Sequence, residues 1–180
     1  MLSNDISPLG LEVGLSHTLA VNSKNQLFTW GISEFKAVPG VTEVRFKQIA
    51  CGDIHSLGLD YDGNLFVWGR NKQGQLGTGN YESIKQPYKM TNCAFSGEVK
   101  EIAAKGNLSF VVSNEGKAYM WPIKNAAQEF ILTPIELPFT KLVKCNNIIR
   151  HKLMLYHVEL TLLFYYQPKV YYSPLAVQLN

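Results

Sequence analysis

The sequence predicts an all-β repeat fold, part of a β-propeller, and three observations carry that prediction. Residues 13–31, "VGLSHTLAVNSKNQLFTWG", and residues 51–69, "CGDIHSLGLDYDGNLFVWG", are near-copies set 38 positions apart. A looser third copy, "AKGNLSFVVSNEGKAYMWP", occupies residues 104–122. Each copy alternates as a strand does, reaches a turn residue, and alternates again. Self-similarity at a spacing of a few tens of residues marks a stacked-repeat architecture.

In the second copy, Leu57 and Leu59 alternate with Ser56 and Gly58, the period of a half-buried strand. Asp62-Gly63 then supplies a turn, because glycine takes positive φ without steric cost. Beyond it, Leu65 and Val67 fall on one face and Phe66 and Trp68 on the other. A strand apolar on both faces is expected between two neighbouring sheets. The first copy turns at Lys24-Asn25 and the third at Glu115-Gly116. Short strands precede the second and third hairpins, at residues 46–50 ("FKQIA") and 99–103 ("VKEIA"). After the second hairpin, "GRNKQGQLGTGNYESIKQPYKM" reads as a glycine-punctuated loop followed by an extended stretch. Three or four short strands per unit describe a propeller blade. A sandwich also has short strands at regular intervals, but it does not need equivalent strands to look alike.

Composition agrees with a folded chain. The protein has 180 residues, 46% hydrophobic and 17% charged, with a formal net charge of +3. Cys51, Cys93 and Cys145 are odd in number and show no CxxC spacing. With an N-terminus that does not read as a secretion signal, they predict free thiols in a reducing compartment, the cytoplasm or alternatively the nucleus. All 14 glycines lie at or before Gly116, and residues 141–180 hold five Lys and Arg against one Asp or Glu. The repeat is lost over the same interval. The expected organisation is therefore a lead-in at 1–10, three repeat units at 11–145, and a divergent basic, aromatic tail at 146–180.

The run from Cys51 to Gly79 resembles the repeat of the regulator-of-chromosome-condensation family, whose members fold as seven-bladed β-propellers. The resemblance rests on Cys51-Gly52, His55-Ser56, Asp62-Gly63, Phe66 with Trp68-Gly69, and Asn71 followed by Gly74-Gln75-Leu76-Gly77. The first copy repeats Gly14, His17, Trp30 and Gly31 but has "GISEFKAVPG" where Gly-Gln-Leu-Gly would fall. The third keeps Gly116 and Trp121, with Leu108 in the His place and Pro122 in the final Gly place. Three units are fewer than the four to eight of a closed ring. The sequence therefore predicts either a propeller completed elsewhere or a truncated product, with exposed inter-blade faces that invite association.

Candidate chemistry resolves into architecture. His17 and His55 hold equivalent places in two units, which predicts structural residues hydrogen-bonded to the backbone of a neighbouring strand. "GQLGTG" does not open a helix as a phosphate loop does. His151 and His157 with Cys145 lack a fourth zinc ligand. Asp53, Asp60 and Asp62 lack calcium-loop spacing, and the last two fit a strand-end turn. The apolar run at 153–166 spans 14 residues, short of a membrane crossing. No catalytic constellation, cofactor or metal site is expected.

Function is then expected in a non-catalytic protein-interaction scaffold. The contact elements are the loops 70–73 and 80–85, with Arg70, Lys72, Gln73, Tyr81 and Lys85 as candidate contacts. The resemblance implies a second reading, guanine-nucleotide exchange on a Ran-type small GTPase. The expected partners are a protein, a small GTPase among the candidates, and a second copy or another chain that completes the ring. A specific nucleic acid and a membrane are not expected.

Overall fold

The computed structural model describes residues 6–31, 36–91, 95, 98–125 and 127–137. The chain divides into two compact units, Met1–Val143 and Lys144–Asn180. Every described residue belongs to the first. The tail at 146–180, Cys93, Cys145, His151, His157 and the apolar run at 153–166 all lie outside the described residues.

Each repeat builds one antiparallel sheet whose strands follow chain order. In the first, β1 (Ile6–Val13), β2 (His17–Asn22), β3 (Leu27–Gly31) and β4 (Lys36–Ala37) lie side by side. β1 begins inside the stretch read from sequence as a lead-in. The second sheet is β5 (Phe46–Cys51), β6 (His55–Asp60), β7 (Leu65–Gly69) and β8 (Ile84–Lys89). The third joins β9 (Val99–Lys105), β10 (Leu108–Ser113) and β11 (Ala118–Trp121). A two-stranded ribbon, β12 (Ile123–Lys124) with β13 (Phe130–Ile131), interrupts this sheet before β14 (Ile135–Glu136) pairs with β11. Among the described residues there are three four-stranded sheets and no helix, an arc of a β-propeller that does not close.

The hairpin turns fall where sequence placed them: Asn25, Gly63 and Gly116 have φ of 59°, 80° and 82°. Asp60 anchors the second turn, its carboxylate accepting from the Asn64 backbone N–H at 2.8 Å and side-chain amide at 2.7 Å. That is the strand-end role expected of it.

Two cores flank the second sheet. On one side Phe66 and Trp68 join Phe46, Ile49 and Cys51 against Leu19, Val21 and Leu27 of the first sheet. On the other, Leu57, Leu59, Leu65 and Val67 pack with Ile102, Val111, Tyr119 and Trp121 of the third. Burying each such Leu or Val contributes about 1.5–3 kcal/mol. The split of β7 into two apolar faces follows the sequence expectation. The half-buried reading of β6 needs correcting: all six of its residues are buried, since a sheet covers each side. Gly58 and Ser56 satisfied the alternation pattern because they are small, not because they face water. A Cβ at Gly58 would meet the Phe46 ring at 2.5 Å.

Candidate functional site

The repeat-signature residues meet at the boundaries between sheets. In β6 and β7 the strand register sets His55 opposite Gly69 and Ser56 opposite Trp68. β2 and β3 place His17 opposite Gly31 and Thr18 opposite Trp30 in the same way. Trp-Gly is required there because a Cβ at Gly69 would lie 2.7 Å from His55 Cα.

Each histidine reaches across to the next repeat. His17 Nε2 lies 2.7 Å from Ser56 Oγ, and His55 Nε2 lies 2.8 Å from Ser109 Oγ. The expectation of a backbone partner is therefore corrected: the partner is a side-chain hydroxyl on the following sheet. Ser109 donates its single O–H proton to the Gln75 carbonyl at 2.7 Å. Its oxygen must then accept from His55, so the His55 proton sits on Nε2. His55 Nδ1 is left bare, buried and without a hydrogen-bond partner. It lies against Gly52, where any Cβ would overlap the ring. Burial pulls the His55 pKa from 6.5 down to about 4, with His17 nearby adding to the shift and the Leu108 backbone opposing it. Burial lowers the pKa of His17 as well. Both imidazoles are neutral structural groups at physiological pH.

The Gly74-Gln75-Leu76-Gly77 element completes the boundary between the second and third sheets. Gln75 O accepts from Trp121 Nε1 at 3.0 Å as well as from Ser109. The Gln75 side chain donates to Asn107 Oδ1 at 3.0 Å, and Leu76 is fully buried in the core behind it. Gly77 has φ +70°, and a Cβ there would meet Trp121 Nε1 at 2.5 Å. Asn71, fully buried, holds this loop in shape. Its Oδ1 accepts from the Leu76 N–H at 2.9 Å, and its Nδ2 donates to the Asn80 carbonyl at 2.9 Å.

That last bond brings the two candidate contact loops together as one surface. Arg70, Lys72 and Gln73 are exposed at its start, and Tyr81, 46% exposed, stands near its end. Lys85 is exposed too, but it is the second residue of β8 rather than a loop residue. Trp30 and Lys85 both line an open cleft between the first and second sheets. Cys51 is buried, and burial first, then the charge of Glu12, pushes its thiol up to about 12. Sequence reasoning missed that the His and Ser places pair between copies. The third copy held the signal: it keeps Ser109, the acceptor for His55, after losing its own His.

Three sheets stacked face to face and clamped through their inner strands define a propeller repeat protein. Family comparison identifies the repeat. Two family models, both described as "Regulator of chromosome condensation (RCC1) repeat", match, one at residues 46–75 and the other at residues 62–112. The chain is a regulator of chromosome condensation repeat protein. It is 34% identical over 127 residues to the ultraviolet-B receptor UVR8 of Arabidopsis thaliana, covering 60% of this chain and 28% of that one. It is 32% identical over 131 residues to the probable E3 ubiquitin-protein ligase HERC6 of Homo sapiens, covering 64% and 13%. The structure of human WBSCR16 superposes with a TM-score of 0.66 at 20% identity, covering 77% of this chain and 39% of that one. Prp20p from Saccharomyces cerevisiae, studied with its binding properties to Gsp1p and histones, gives 0.61 at 22%, covering 72% and 38%. The chain thus spans less than a third of these two curated relatives.

Proposed function

We propose that this chain is a non-catalytic protein-interaction scaffold whose contact surface is the loop connecting β7 to β8. The observation that carries this reading is the division of labour within the second repeat. Asn71, Gln75 and Leu76 are buried and committed to packing, while Arg70, Lys72, Gln73 and Tyr81 of the same loop are exposed to solvent. A loop tied from within keeps its exposed side chains in place, which lowers the ordering cost of binding. Tyrosine and arginine are also the residue types that most often anchor protein interfaces. The mixed charge of Arg70, Lys72 and Glu82 suits a polar protein surface rather than a nucleic-acid backbone.

The test starts by identifying proteins cross-linked to the full chain and confirming one by direct binding with purified components. Tyr81→Ala combined with Arg70→Glu should weaken that binding by about tenfold or more while leaving the circular dichroism spectrum unchanged. In parallel, a Ran-type GTPase loaded with labelled nucleotide is mixed with the chain. Nucleotide release at the intrinsic rate is the expected result. Accelerated release would replace the scaffold reading with exchange activity, and binding indifferent to the loop substitutions would remove the loop from it.

A further inference from the structure

The two boundaries between sheets share one receiving pattern. On β5 and β6, Cys51 pairs with Ser56 and Ile49 with Gly58. On β9 and β10, Ala104 pairs with Ser109 and Ile102 with Val111. In each case the serine is hydrogen-bonded to the preceding repeat's histidine, and the apolar residues beside it pack with that repeat's aliphatic row. The first sheet carries the same register, with Val13 paired to Thr18 and Leu11 to Ala20. Thr18 thus holds the place of Ser56 and Ser109, again with a side-chain hydroxyl. Exposure is what differs. Ile49 and Ile102 are each 2% exposed and Cys51 is 7% exposed, whereas Leu11 is 53% and Val13 68% exposed. Leu15, on the turn into β2, is 80% exposed. Adjoining aliphatic side chains held in water on one sheet face mark an interaction surface.

We propose that this face of the first sheet receives a propeller sheet of another protein, one that carries histidine in the repeat place. The proposed interface continues the two internal boundaries by one step, and they specify its occupant. His17 is followed by Leu19 and Val21, with Leu27 across the hairpin, and His55 by Leu57 and Leu59, with Leu65 across the hairpin. The partner strand therefore reads His-x-Leu-x-Leu or His-x-Leu-x-Val. Its imidazole bonds the Thr18 hydroxyl, and its aliphatic row covers Leu11 and Val13. A second copy of this chain does not meet that specification. Its His17 and His55 are already bonded to Ser56 and Ser109. In its third sheet Leu108 stands in the His place, and Phe110 and Met120, cross-strand partners like Leu57 and Val67 before them, are already buried. Leu11 and Val13 belong to the first sheet and the loop carrying Tyr81 to the second, so different substitutions test the two readings and each fails separately.

The test places a photoreactive benzoylphenylalanine at position 15, at the end of the exposed row, in the full chain. The chain is irradiated in the cells that express it, and the cross-linked peptides are sequenced by mass spectrometry. The expected capture is a peptide of a different protein that carries the His-x-Leu-x-Leu or His-x-Leu-x-Val strand within a propeller repeat. That protein, purified, should bind the full chain directly. Leu11→Asp with Val13→Asp should weaken the binding at least about tenfold, and Thr18→Val by about fivefold through the lost hydroxyl. Lys100→Ala, an exposed change on the third sheet, should leave it unchanged. Leu11 and Val13 are more than half exposed, so the aspartate variants should keep the wild-type urea midpoint, which separates lost binding from lost folding. Absence of an intermolecular cross-link, capture of a second copy of this chain or of a peptide without the histidine strand, or binding that survives the two aspartates overturns the proposal.

Discussion

Replacing Ser109 by alanine should be far more damaging than making the same change at Ser56, although the two serines hold equivalent places in the repeat. Ser109 Oγ accepts from His55 Nε2 at 2.8 Å and donates to Gln75 O at 2.7 Å, and all three residues are at most 1% exposed. Without the hydroxyl, Gln75 O keeps Trp121 Nε1 as a donor. The His55 N–H keeps nothing and has no path to water. A buried donor left without an acceptor costs about 1–3 kcal/mol, so Ser109→Ala should lose about 2 kcal/mol of stability. Ser56→Ala orphans His17, which is only half-buried and borders an open cleft. Water can replace the lost hydroxyl there, and the loss should stay below about 1 kcal/mol. Urea unfolding of the full-length variants, followed by tryptophan fluorescence, measures both through the shift in midpoint at a common slope. Equal losses in the two variants, or a Ser109→Ala midpoint at the wild-type value, would refute the reasoning.

Acidification should destabilise the fold through His55. The folded-state pKa is depressed from 6.5 to about 4, so between those values the unfolded chain binds more protons than the folded one. Stability therefore falls as pH drops through that window, by about 3 kcal/mol at 1.36 kcal/mol per unit. Unfolding midpoints measured against pH should show the fall, and His55→Gln should flatten it. Gly77→Ala should cost about 3 kcal/mol, since φ is +70° and the new methyl meets the Trp121 indole. A melting curve compared with that of Gly79→Ala, whose nearest neighbour is a side-chain methyl at 3.7 Å, separates the clash from the backbone strain. Cys51, with its thiol near 12 and buried, should resist alkylation at neutral pH in the native chain and react on unfolding. Peptide mapping after iodoacetamide treatment reads this directly.

What the sequence made legible was local. The hairpins, their turns at Asn25, Gly63 and Gly116, and the two-faced strand β7 could all be read because each depends on residues a few positions apart. The sheets' partners across the boundaries were not legible, because His55 to Ser109 spans 54 positions and no periodicity within one repeat reports it. Nor was the inserted ribbon of β12 and β13, two residues per strand, too short for alternation to show. The buried Ser56 and Gly58 were read as a solvent face because small residues satisfy the same pattern as polar ones. The proposed contact surface was legible only as loop composition. That Asn71 ties residues 70–73 to residues 80–83 follows from its buried amide, not from its identity.

The central claim is that His17 and His55 each clamp the following sheet, His55 through a neutral imidazole that donates from Nε2. Long-range proton–nitrogen correlation spectra of the labelled chain, recorded on lowering the pH from about 7 to about 3.5, assign the tautomer and the titration of each ring. The account predicts the Nε2–H tautomer for His55, with protonation delayed until about pH 4. An Nδ1–H tautomer, or titration near 6.5, would mean that His55 does not donate to Ser109 and that the sheets are held together in some other way.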